Sequence, residues 1–326
     1  MIITRTPLRV SFVGGGTDLR AFYRRERGAV LSTAIDKYIY ITVNRKFDNK
    51  IRASYSITEF ADHPSQLKHE LIREAMLLTG IDGGVEITSI SDVPSQGTGL
   101  GSSSSYTVGL LNALYAFKGQ LVNAERLASE ACRIEVDILH KAMGKQDQYI
   151  AAYGGMQFIQ FHPDESVLAD ALPCGQAIKD QLQRSLLMLY TGVTRSASSV
   201  LEEQQRRTDS EKAAQDGLRR MRDLADQLRD SLCAGNLNAF GEVLHTGWML
   251  KRALASGISS GAIDGWYERA RQLGAIGGKL LGAGGGGFIL LFAPPESHAA
   301  ICRGLPDLRP MPFQFEPRGS QIIFVQ

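Results

Sequence analysis

Residues 94–105 read PSQGTGLGSSSS, and an apolar segment of helical spacing, residues 106–117, follows at once. Three glycines at alternate positions, Gly97, Gly99 and Gly101, carry no Cβ atom, so the backbone can turn tightly and bring its N–H groups close to an anion. The serines that follow can cap a helix, whose first turn offers unpaired N–H groups and the positive end of its dipole. The stretch therefore predicts a phosphate-binding loop, with hydroxyls in reach of a metal ion carried by the phosphate.

The alternative for this stretch is a Gly/Ser-rich surface loop before a capped helix. Its context favours the phosphate loop, because residues 85–90 (VEITSI) have the alternation of a strand and a helix is expected directly after the serines. It is not a Walker A loop, since no Gly-Lys-Ser or Gly-Lys-Thr follows the glycines.

Size and composition narrow the class of protein. A chain of 326 residues is long enough for two domains, or for one large domain with an elaborated second layer. A formal charge of +2 with both signs dispersed gives no reason to expect a nucleic-acid partner. The four cysteines lie far apart without a C-x-x-C pair, so neither a disulfide framework nor a zinc site is expected. The expected location of the protein is therefore a reducing cytoplasm. No apolar run approaches the ~18 residues of a membrane span, so no membrane partner is expected.

The periodicity predicts alternating strands and helices in the first half of the chain and long amphipathic helices in the second. We expect strands at residues 2–13 (broken at Pro7), 35–47, 85–90, 156–161, 186–190, 288–292 and 321–325. We expect helices at residues 66–78, 106–117 and 124–143, the last one stopping at Gly144, and across most of residues 196–255. The change in composition near residue 165 predicts two domains, 1–165 and 166–326.

A second glycine tract, residues 282–287, formally matches the dinucleotide fingerprint G-x-G-x-x-G. That fingerprint must follow a strand and open a helix, whereas here a helix-like segment precedes and a strand follows. Two interpretations remain open: a loop that offers backbone donors to a ligand, and a tight packing turn.

Phosphoryl transfer needs phosphate donors, ligands for Mg²⁺ and a group that accepts the proton of the acceptor hydroxyl. Ser103 follows the phosphate loop, Glu135 lies on a predicted helix, and Asp147 comes just after Gly144. Taken singly, Glu135 reads as a solvated helix residue and Asp147 as a loop residue. The three together are compatible with a kinase site.

Three separated stretches, in order, resemble the signature motifs of the GHMP kinases, the small-molecule kinases that include galactokinase, homoserine kinase, mevalonate kinase and phosphomevalonate kinase. Residues 7–18 (PLRVSFVGGGTD) are similar to the acceptor-binding motif, residues 94–105 to the ATP phosphate loop, and residues 279–288 to the motif that closes over the site. The resemblance implies an α+β fold: an N-terminal domain like ribosomal protein S5 domain 2, a ferredoxin-like C-terminal domain and a site in the cleft between them.

The resemblance also implies roles for individual residues. Asp147 is expected to be the catalytic aspartate and Arg9 the arginine that steadies both this aspartate and the transferred phosphate. Ser103 and Glu135 would hold Mg²⁺. The implied nucleotide contacts are Pro94, Gly97, Gly99, Leu100, Gly101, Ser102, Ser103 and Ser104. The implied acceptor contacts are Gly14, Gly15, Gly16, Thr17 and Asp18, together with Gly284 and Gly285.

Residues 14–18 (GGGTD) depart from galactokinase, which has Gly-Glu-His-Thr-Asp there, and this argues against galactose as the acceptor. With residues 144–149 (GKQDQY), they most resemble the branch of the family that phosphorylates D-glycero-D-manno-heptose 7-phosphate. That implies ATP-dependent phosphorylation of the anomeric hydroxyl to a 1,7-bisphosphate, for nucleotide-heptose and surface-polysaccharide biosynthesis. Candidate cations for a phosphate on the acceptor are Arg20, Arg24, Lys37 and Arg195.

The sequence is compatible with two rival functions. One is another sugar 1-kinase of the family, similar to fucokinase. The other is a nucleotide-binding regulator that lost catalysis, which the retention of Arg9, Ser103, Glu135 and Asp147 argues against. A homodimer is compatible with either function.

Overall fold

The computed structural model describes residues 1–94, 97–194 and 198–326. Its strands are β1 (Ile2–Val13), β2 (Gly28–Arg45), β3 (Ile51–Ser54), β4 (Thr58–Ala61), β5 (Val85–Ser91), β6 (Met156–Phe161), β7 (Val167–Ala171), β8 (Leu186–Tyr190), β9 (Gly277–Leu280), β10 (Phe288–Phe292), β11 (Arg309–Pro310) and β12 (Gln321–Val325). Its α-helices are α1 (Arg20–Tyr23), α2 (Glu70–Thr79), α3 (Ser102–Phe117), α4 (Ala124–Cys132), α5 (Gln146–Tyr153), α6 (Gln176–Ser185), α7 (Ser198–Ser210), α8 (Lys212–Cys233), α9 (Phe240–Arg252), α10 (Gly261–Gln272) and α11 (Pro295–Gly304). A short 3₁₀ helix, Pro64–Gln66, and a π-helix, Arg133–Ile138, complete these elements.

The first sheet contains eight of the described strands. Six run in the order β12-β1-β2-β5-β3-β4, and β6 pairs with β2 and with β7. The predicted break of the first strand at Pro7 is wrong. β1 continues through it and shifts register against β2 between Pro7 and Leu8, because a bulge accommodates a residue that lacks an N–H donor.

Two strands from beyond residue 165 join this first sheet. β7 forms a hairpin with β6, and β12 returns from the end of the chain to pair with β1. The division into domains 1–165 and 166–326 stays a prediction.

Helix α3 packs on β1 and β2 and is buried from Ser104 to Tyr115 except at Tyr106. It approaches closely because Gly109 has no side chain: a Cβ there would lie 2.6 Å from Thr6 Oγ1. The hydroxyl of Thr4 donates to the Gly109 carbonyl oxygen at 2.9 Å. This packing fixes the N-terminus of α3, and therefore the loop before it, relative to β1.

The second sheet has the order β11-β8-β10-β9, and all its pairings are antiparallel. Along the chain, β8 leads through helices to the hairpin β9-β10, and α11 then connects to β11. This is the β-α-β-β-α-β arrangement of ferredoxin-like domains. Trp248 and Tyr267 are the largest side chains in its buried core. The α+β fold class is confirmed.

Several predicted elements differ in detail. The helix expected over residues 124–143 is α-helical only to Cys132, then widens into the π-helix and ends before His140, whose φ of 50° is left-handed. The helix expected across residues 196–255 is three helices, α7, α8 and α9; residues 196 and 197 lie outside the described part. The glycine tract at 282–287 is preceded by strand β9, not by a helix.

Across residues 1–94, 97–194 and 198–326, we find no helix with the combined length and apolarity that a membrane crossing requires.

Candidate active site

A cleft of about 1000 Å³ is lined by residues of both halves of the chain. The first half contributes β1, the turn after it, the loop before α3 and the start of α5. The second half contributes α7, α9 and β9 with the glycine-rich loop after it. The three stretches of sequence singled out above thus supply residues to one cavity.

The two glycine-rich loops meet backbone to backbone. Gly97, Gly99 and Gly101 have φ angles of 69°, 75° and 78°, a conformation that residues with a Cβ rarely adopt. A Cβ at Gly99 would clash with the Leu281 carbonyl oxygen, and one at Gly282 would clash with the Gly99 Cα atom. Only glycines allow this approach.

Helix α3 begins at the cleft, but no serine caps it. Its N-cap is Gly101, in the left-handed region, and Ser102, Ser103 and Ser104 lie within the first turn. The predicted serine cap is therefore wrong, because the turn needs a residue with positive φ at that position. All three serines line the cleft, where the first-turn N–H groups favour an anion.

The other predicted nucleotide contacts lie around this loop. Gly97, Gly99 and Gly101 line the cleft. Leu100 is buried, and its carbonyl oxygen accepts the Arg9 N–H at 3.0 Å. Pro94 is not among the residues that line the cleft. Residues 95 and 96 are outside the described part of the chain.

Arg9 and Asp147 form a bidentate ion pair in the cleft. Arg9 Nε donates to Asp147 Oδ1 at 2.7 Å, and Nη2 donates to Oδ2 at 2.8 Å. The third arm, Nη1, donates to the Gly99 carbonyl oxygen at 2.5 Å. Charge-assisted, two-point pairing fixes the carboxylate in orientation as well as position. Asp147 lies in the first turn of α5, not in the loop that the sequence indicated.

Glu135 lies in the π-helix and is fully buried. Its Oε1 accepts from Ser103 Oγ at 2.6 Å and its Oε2 from Gln148 Nε2 at 2.7 Å. Burial raises the pKa of Glu135, and the hydrogen bonds from Ser103 and Gln148 oppose that rise. The residue is therefore not the solvated helix side chain that its position in the sequence suggested.

The pair Ser103–Glu135 suits a hard divalent cation. A buried carboxylate is costly unless a positive charge compensates it, and carboxylate and hydroxyl oxygens are ligands that Mg²⁺ accepts. The described residues contain no group of three or more His, Cys, Asp or Glu side chains placed to hold a metal ion. The donor set thus fits a cation that takes most of its ligands from water and phosphate oxygens.

The turn after β1 is organised around Asp18, which is buried. Its Oδ1 accepts the Gly16 N–H at 2.8 Å, and its Oδ2 accepts the Gln146 amide Nε2–H at 3.0 Å. Burial raises the pKa of Asp18, and the negative charge of Asp147 adds to the rise. A Cβ at Gly144 would clash with Asp18 Oδ2, which explains the glycine just before α5.

The remaining predicted acceptor residues divide into two groups. Gly15 and Gly16 line the cleft. Gly14 and Thr17 are buried behind it, where Thr17 Oγ1 donates to the Gly14 carbonyl oxygen at 2.8 Å. Gly14 has a φ of 89° and so sets the turn.

Two buried polar atoms at this end of the cleft have no hydrogen-bond partner among the described residues. They are Ser11 Oγ and Gln146 Oε1. Both residues line the cleft and lie on either side of Gly15. The sequence assigned neither residue a role, although both lie inside motifs: Ser11 is two residues after Arg9, and Gln146 is directly before Asp147. Both atoms can bind hydroxyl groups of a ligand.

Two buried lysines complete the cleft. Lys279 Nζ donates to the carbonyl oxygens of Ser11 and Phe12 at 2.8 and 3.1 Å and so ties β9 to β1. Lys251 on α9 was missed by sequence analysis. The signal that could have found it is a lysine at helical spacing from two buried apolar residues, Leu244 and Trp248.

Some predicted residues are not brought to the cleft. Gly284 packs against Ile258, Gly285 donates its N–H to the Ile258 carbonyl oxygen at 3.0 Å, and neither lines the cavity. Of the candidate cations, the following three pair elsewhere: Arg20 with Asp137 at 2.6 Å, Arg24 with Glu165 at 2.8 Å and Lys37 with Asp36 at 2.8 Å. Arg195 lies outside the described residues.

Comparison with protein-family profiles gives two matches, one in each half of the chain. Residues 67–155 match the GHMP kinases N terminal domain, and residues 228–305 match the GHMP kinases C terminal domain. The first match contains Ser103, Glu135 and Asp147, and the second contains Lys251 and Lys279.

Proteins similar to this chain include sugar kinases. The chain is 28% identical over 316 residues to the D-glycero-alpha-D-manno-heptose 7-phosphate kinase of Campylobacter jejuni, covering 93% of both proteins. It is 27% identical over 325 residues to the bifunctional fucokinase/GDP-fucose pyrophosphorylase of Arabidopsis thaliana, covering 91% of this chain but 30% of that longer protein. A crystal structure of a D-glycero-D-manno-heptose 1-phosphate kinase from Bacteroides thetaiotaomicron superposes with a TM-score of 0.83 at 24% identity and covers 100% of both chains, which shows a shared fold.

Proposed function

Since this chain belongs to the GHMP kinase family, we propose that it phosphorylates the anomeric hydroxyl of D-glycero-D-manno-heptose 7-phosphate with ATP, yielding the 1,7-bisphosphate. The observation that best supports kinase chemistry is the ion pair of Arg9 and Asp147. The Gly99 carbonyl oxygen accepts a further hydrogen bond from Arg9 and so fixes the pair beside the start of α3. The acceptor is supported by the similarity to the Campylobacter jejuni heptose 7-phosphate kinase over 93% of both chains. The product would serve nucleotide-heptose and surface-polysaccharide biosynthesis in the cytoplasm.

The loop before α3 would hold the nucleotide's phosphates. Its glycines expose backbone N–H groups, and the helix start adds the positive end of a dipole. Ser103 and Glu135 are the residues that would hold Mg²⁺, which when bound neutralises part of the phosphate charge. The hydrogen bond between them keeps the two oxygen ligands together before a cation arrives.

Asp147 would accept the proton of the acceptor hydroxyl. Each of its carboxylate oxygens accepts one Arg9 N–H, and each keeps a lone pair for a further hydrogen bond. The acceptor oxygen bonds to the γ-phosphorus, the bond from that phosphorus to the bridging oxygen breaks, ADP leaves and the hydroxyl proton passes to Asp147. Arg9 fixes the carboxylate for this step because all three arms of its guanidinium are already bonded.

The acceptor sugar would lie over Gly15, between Ser11 and Gln146. The unpartnered Ser11 hydroxyl and Gln146 amide oxygen can bind sugar hydroxyls, and Asp18 holds the Gln146 amide in place. Small residues at 15 and 16 leave space where galactokinase carries Glu and His. This favours a larger acceptor than a free hexose.

A second candidate is a sugar 1-kinase similar to fucokinase. It is favoured by the 27% identity with the Arabidopsis thaliana enzyme over 91% of this chain. Both candidates use the same catalytic pair, so the choice between them depends on the acceptor.

The deciding experiment is kcat/KM with ATP and a panel of acceptors: heptose 7-phosphate, free heptose, mannose 6-phosphate, fucose and galactose. A desolvated charge-assisted contact to the second phosphate is worth about 1.5–3 kcal/mol, so we expect heptose 7-phosphate to exceed free heptose by roughly tenfold or more. Equal or better use of fucose would replace the heptose phosphate assignment with the second candidate.

A further inference from the structure

Lys251 projects from α9 of the second half of the chain into the cleft, and only 7% of its surface is exposed. Among the described residues its ammonium group donates one hydrogen bond, to the carbonyl oxygen of Gly282 in the glycine-rich loop. An ammonium has three N–H donors. Two of them therefore remain for a ligand in the cleft.

The charges around Lys251 come from four elements. Arg9 on β1 and Lys279 on β9 repel its ammonium group, while Asp18 in the turn after β1 and Asp147 on α5 attract it. Asp147 is already paired with Arg9, and among the described residues no carboxylate lies within ion-pair distance of Lys251. Burial and the repulsion by Arg9 lower the pKa of Lys251 to about 8.

A buried cation without an anionic partner is costly, and the cost is recovered when an anion binds. Lys279 differs, because two backbone carbonyl oxygens accept from its ammonium group. Lys145 differs too, because it pairs with Glu165 at 2.5 Å. Among the buried lysines that the structure describes, Lys251 is thus the one placed to receive an anion beside the catalytic pair.

Building on the proposed kinase function, we propose that Lys251 is a catalytic residue that binds the phosphoryl group as it moves from ATP to the sugar. During transfer, negative charge is spread over the three equatorial oxygens of that group, and a fixed cation in a desolvated site stabilises it. The new bond joins the acceptor oxygen to phosphorus, the bond to the ADP oxygen breaks, and Asp147 takes the hydroxyl proton. Lys251 keeps its own proton throughout.

The first test compares Lys251→Met with Lys212→Met, which removes an exposed lysine at the start of α8. Methionine matches the length of the lysine stem without its charge. We expect Lys251→Met to lower kcat by about 10²–10³-fold for every acceptor that the enzyme uses. Binding of a non-hydrolysable ATP analogue should change only a few-fold, and Lys212→Met should behave as wild type.

The second test uses the wild-type enzyme and needs no variant. Since the protonated form of Lys251 is required, kcat/KM for ATP should fall as the pH rises through about 8. Bound phosphates favour the ammonium form, so the corresponding fall in kcat should come at higher pH. In Lys251→Met, neither kcat/KM for ATP nor kcat should show this fall at alkaline pH.

The outcomes separate this role from others. A kcat of Lys251→Met within threefold of wild type, or a wild-type profile with no descent near pH 8, would overturn the role. A loss confined to KM for phosphorylated acceptors would overturn it too and assign Lys251 to the acceptor's own phosphate. Wild-type protein that phosphorylates no sugar would refute the proposed function and this role together, whereas an active wild type with an unaffected variant refutes the role alone.

Discussion

Asp147→Asn tests the catalytic pair most directly, and its structural cost can be worked out in advance. The exposed fractions of the Arg9 and Asp147 side chains are 5% and 16%. Asparagine keeps one oxygen for Arg9 but turns an NH₂ group toward the other donor, so one charge-assisted hydrogen bond of about 1.5–3 kcal/mol is lost. Removing the group altogether, as in Asp147→Ala, leaves the guanidinium with only the Gly99 carbonyl oxygen and costs about 3–5 kcal/mol. Domains are stable by about 5–15 kcal/mol, so the Asn variant should stay folded.

Loss of the general base should lower kcat by about 10²–10⁴-fold in Asp147→Asn. Nucleotide affinity should change little, because the phosphate loop and the first turn of α3 are untouched. The assays are ADP release, calorimetric ATP binding and urea unfolding, with Asp170→Asn as a control at an exposed aspartate of β7. A kcat within tenfold of wild type would remove Asp147 from the mechanism, and a loss of ATP binding in proportion to kcat would assign it a binding role.

Three further predictions concern other parts of the site. Glu135→Gln and Ser103→Ala should each raise the Mg²⁺ concentration for half-maximal rate by roughly tenfold or more, since each weakens one oxygen ligand. The control Ser129→Ala, on the exposed face of α4, should leave that concentration unchanged. An unchanged Mg²⁺ dependence in both Glu135→Gln and Ser103→Ala would exclude the metal site. Gln146→Leu should raise KM for the acceptor by about 3–10-fold with KM for ATP nearly constant, and equal rises in both would contradict a sugar contact. Burial opposes ionisation of Glu165, but hydrogen bonds from its lysine, tyrosine and arginine neighbours lower its pKa from 4.5 to about 2. The stability that this carboxylate contributes to the fold is therefore present above pH 4.5 and is lost as the pH falls toward 2. The difference in unfolding free energy between wild type and Glu165→Gln should shrink over that window, and a constant difference would show that ionisation is not its source.

The position of the site was predictable because glycine has few reasons to recur at alternate positions. Gly97, Gly99 and Gly101 all have positive φ, and the second loop at Gly282 packs directly on them. The strands were predictable for a similar reason, since their alternation reflects one buried and one solvated face. Such patterns can be recognised in the sequence because local backbone conformation restricts which residue types can occupy each position.

Other features depend on contacts that a linear pattern does not contain. The π-helix over Arg133–Ile138 closes its hydrogen bonds over five residues instead of four, and no residue type in that segment indicates the change. The sequence therefore favoured an ordinary helix through to Met143. Burial of Glu135 follows from its bonds to Ser103 and Gln148, which come from two other helices. Lys251 reads as an amphipathic helix residue until β9 and its loop are folded against α9.

We propose that this cleft transfers a phosphoryl group to the anomeric hydroxyl of a sugar phosphate. The most direct measurement is ³¹P NMR of a reaction of the wild-type protein with ATP, Mg²⁺ and heptose 7-phosphate. We expect one ADP for each sugar consumed and a new phosphate signal coupled to the anomeric proton, with the original sugar phosphate retained. ATP hydrolysis without a new sugar phosphate, or phosphorylation at a carbon other than the anomeric one, would contradict it.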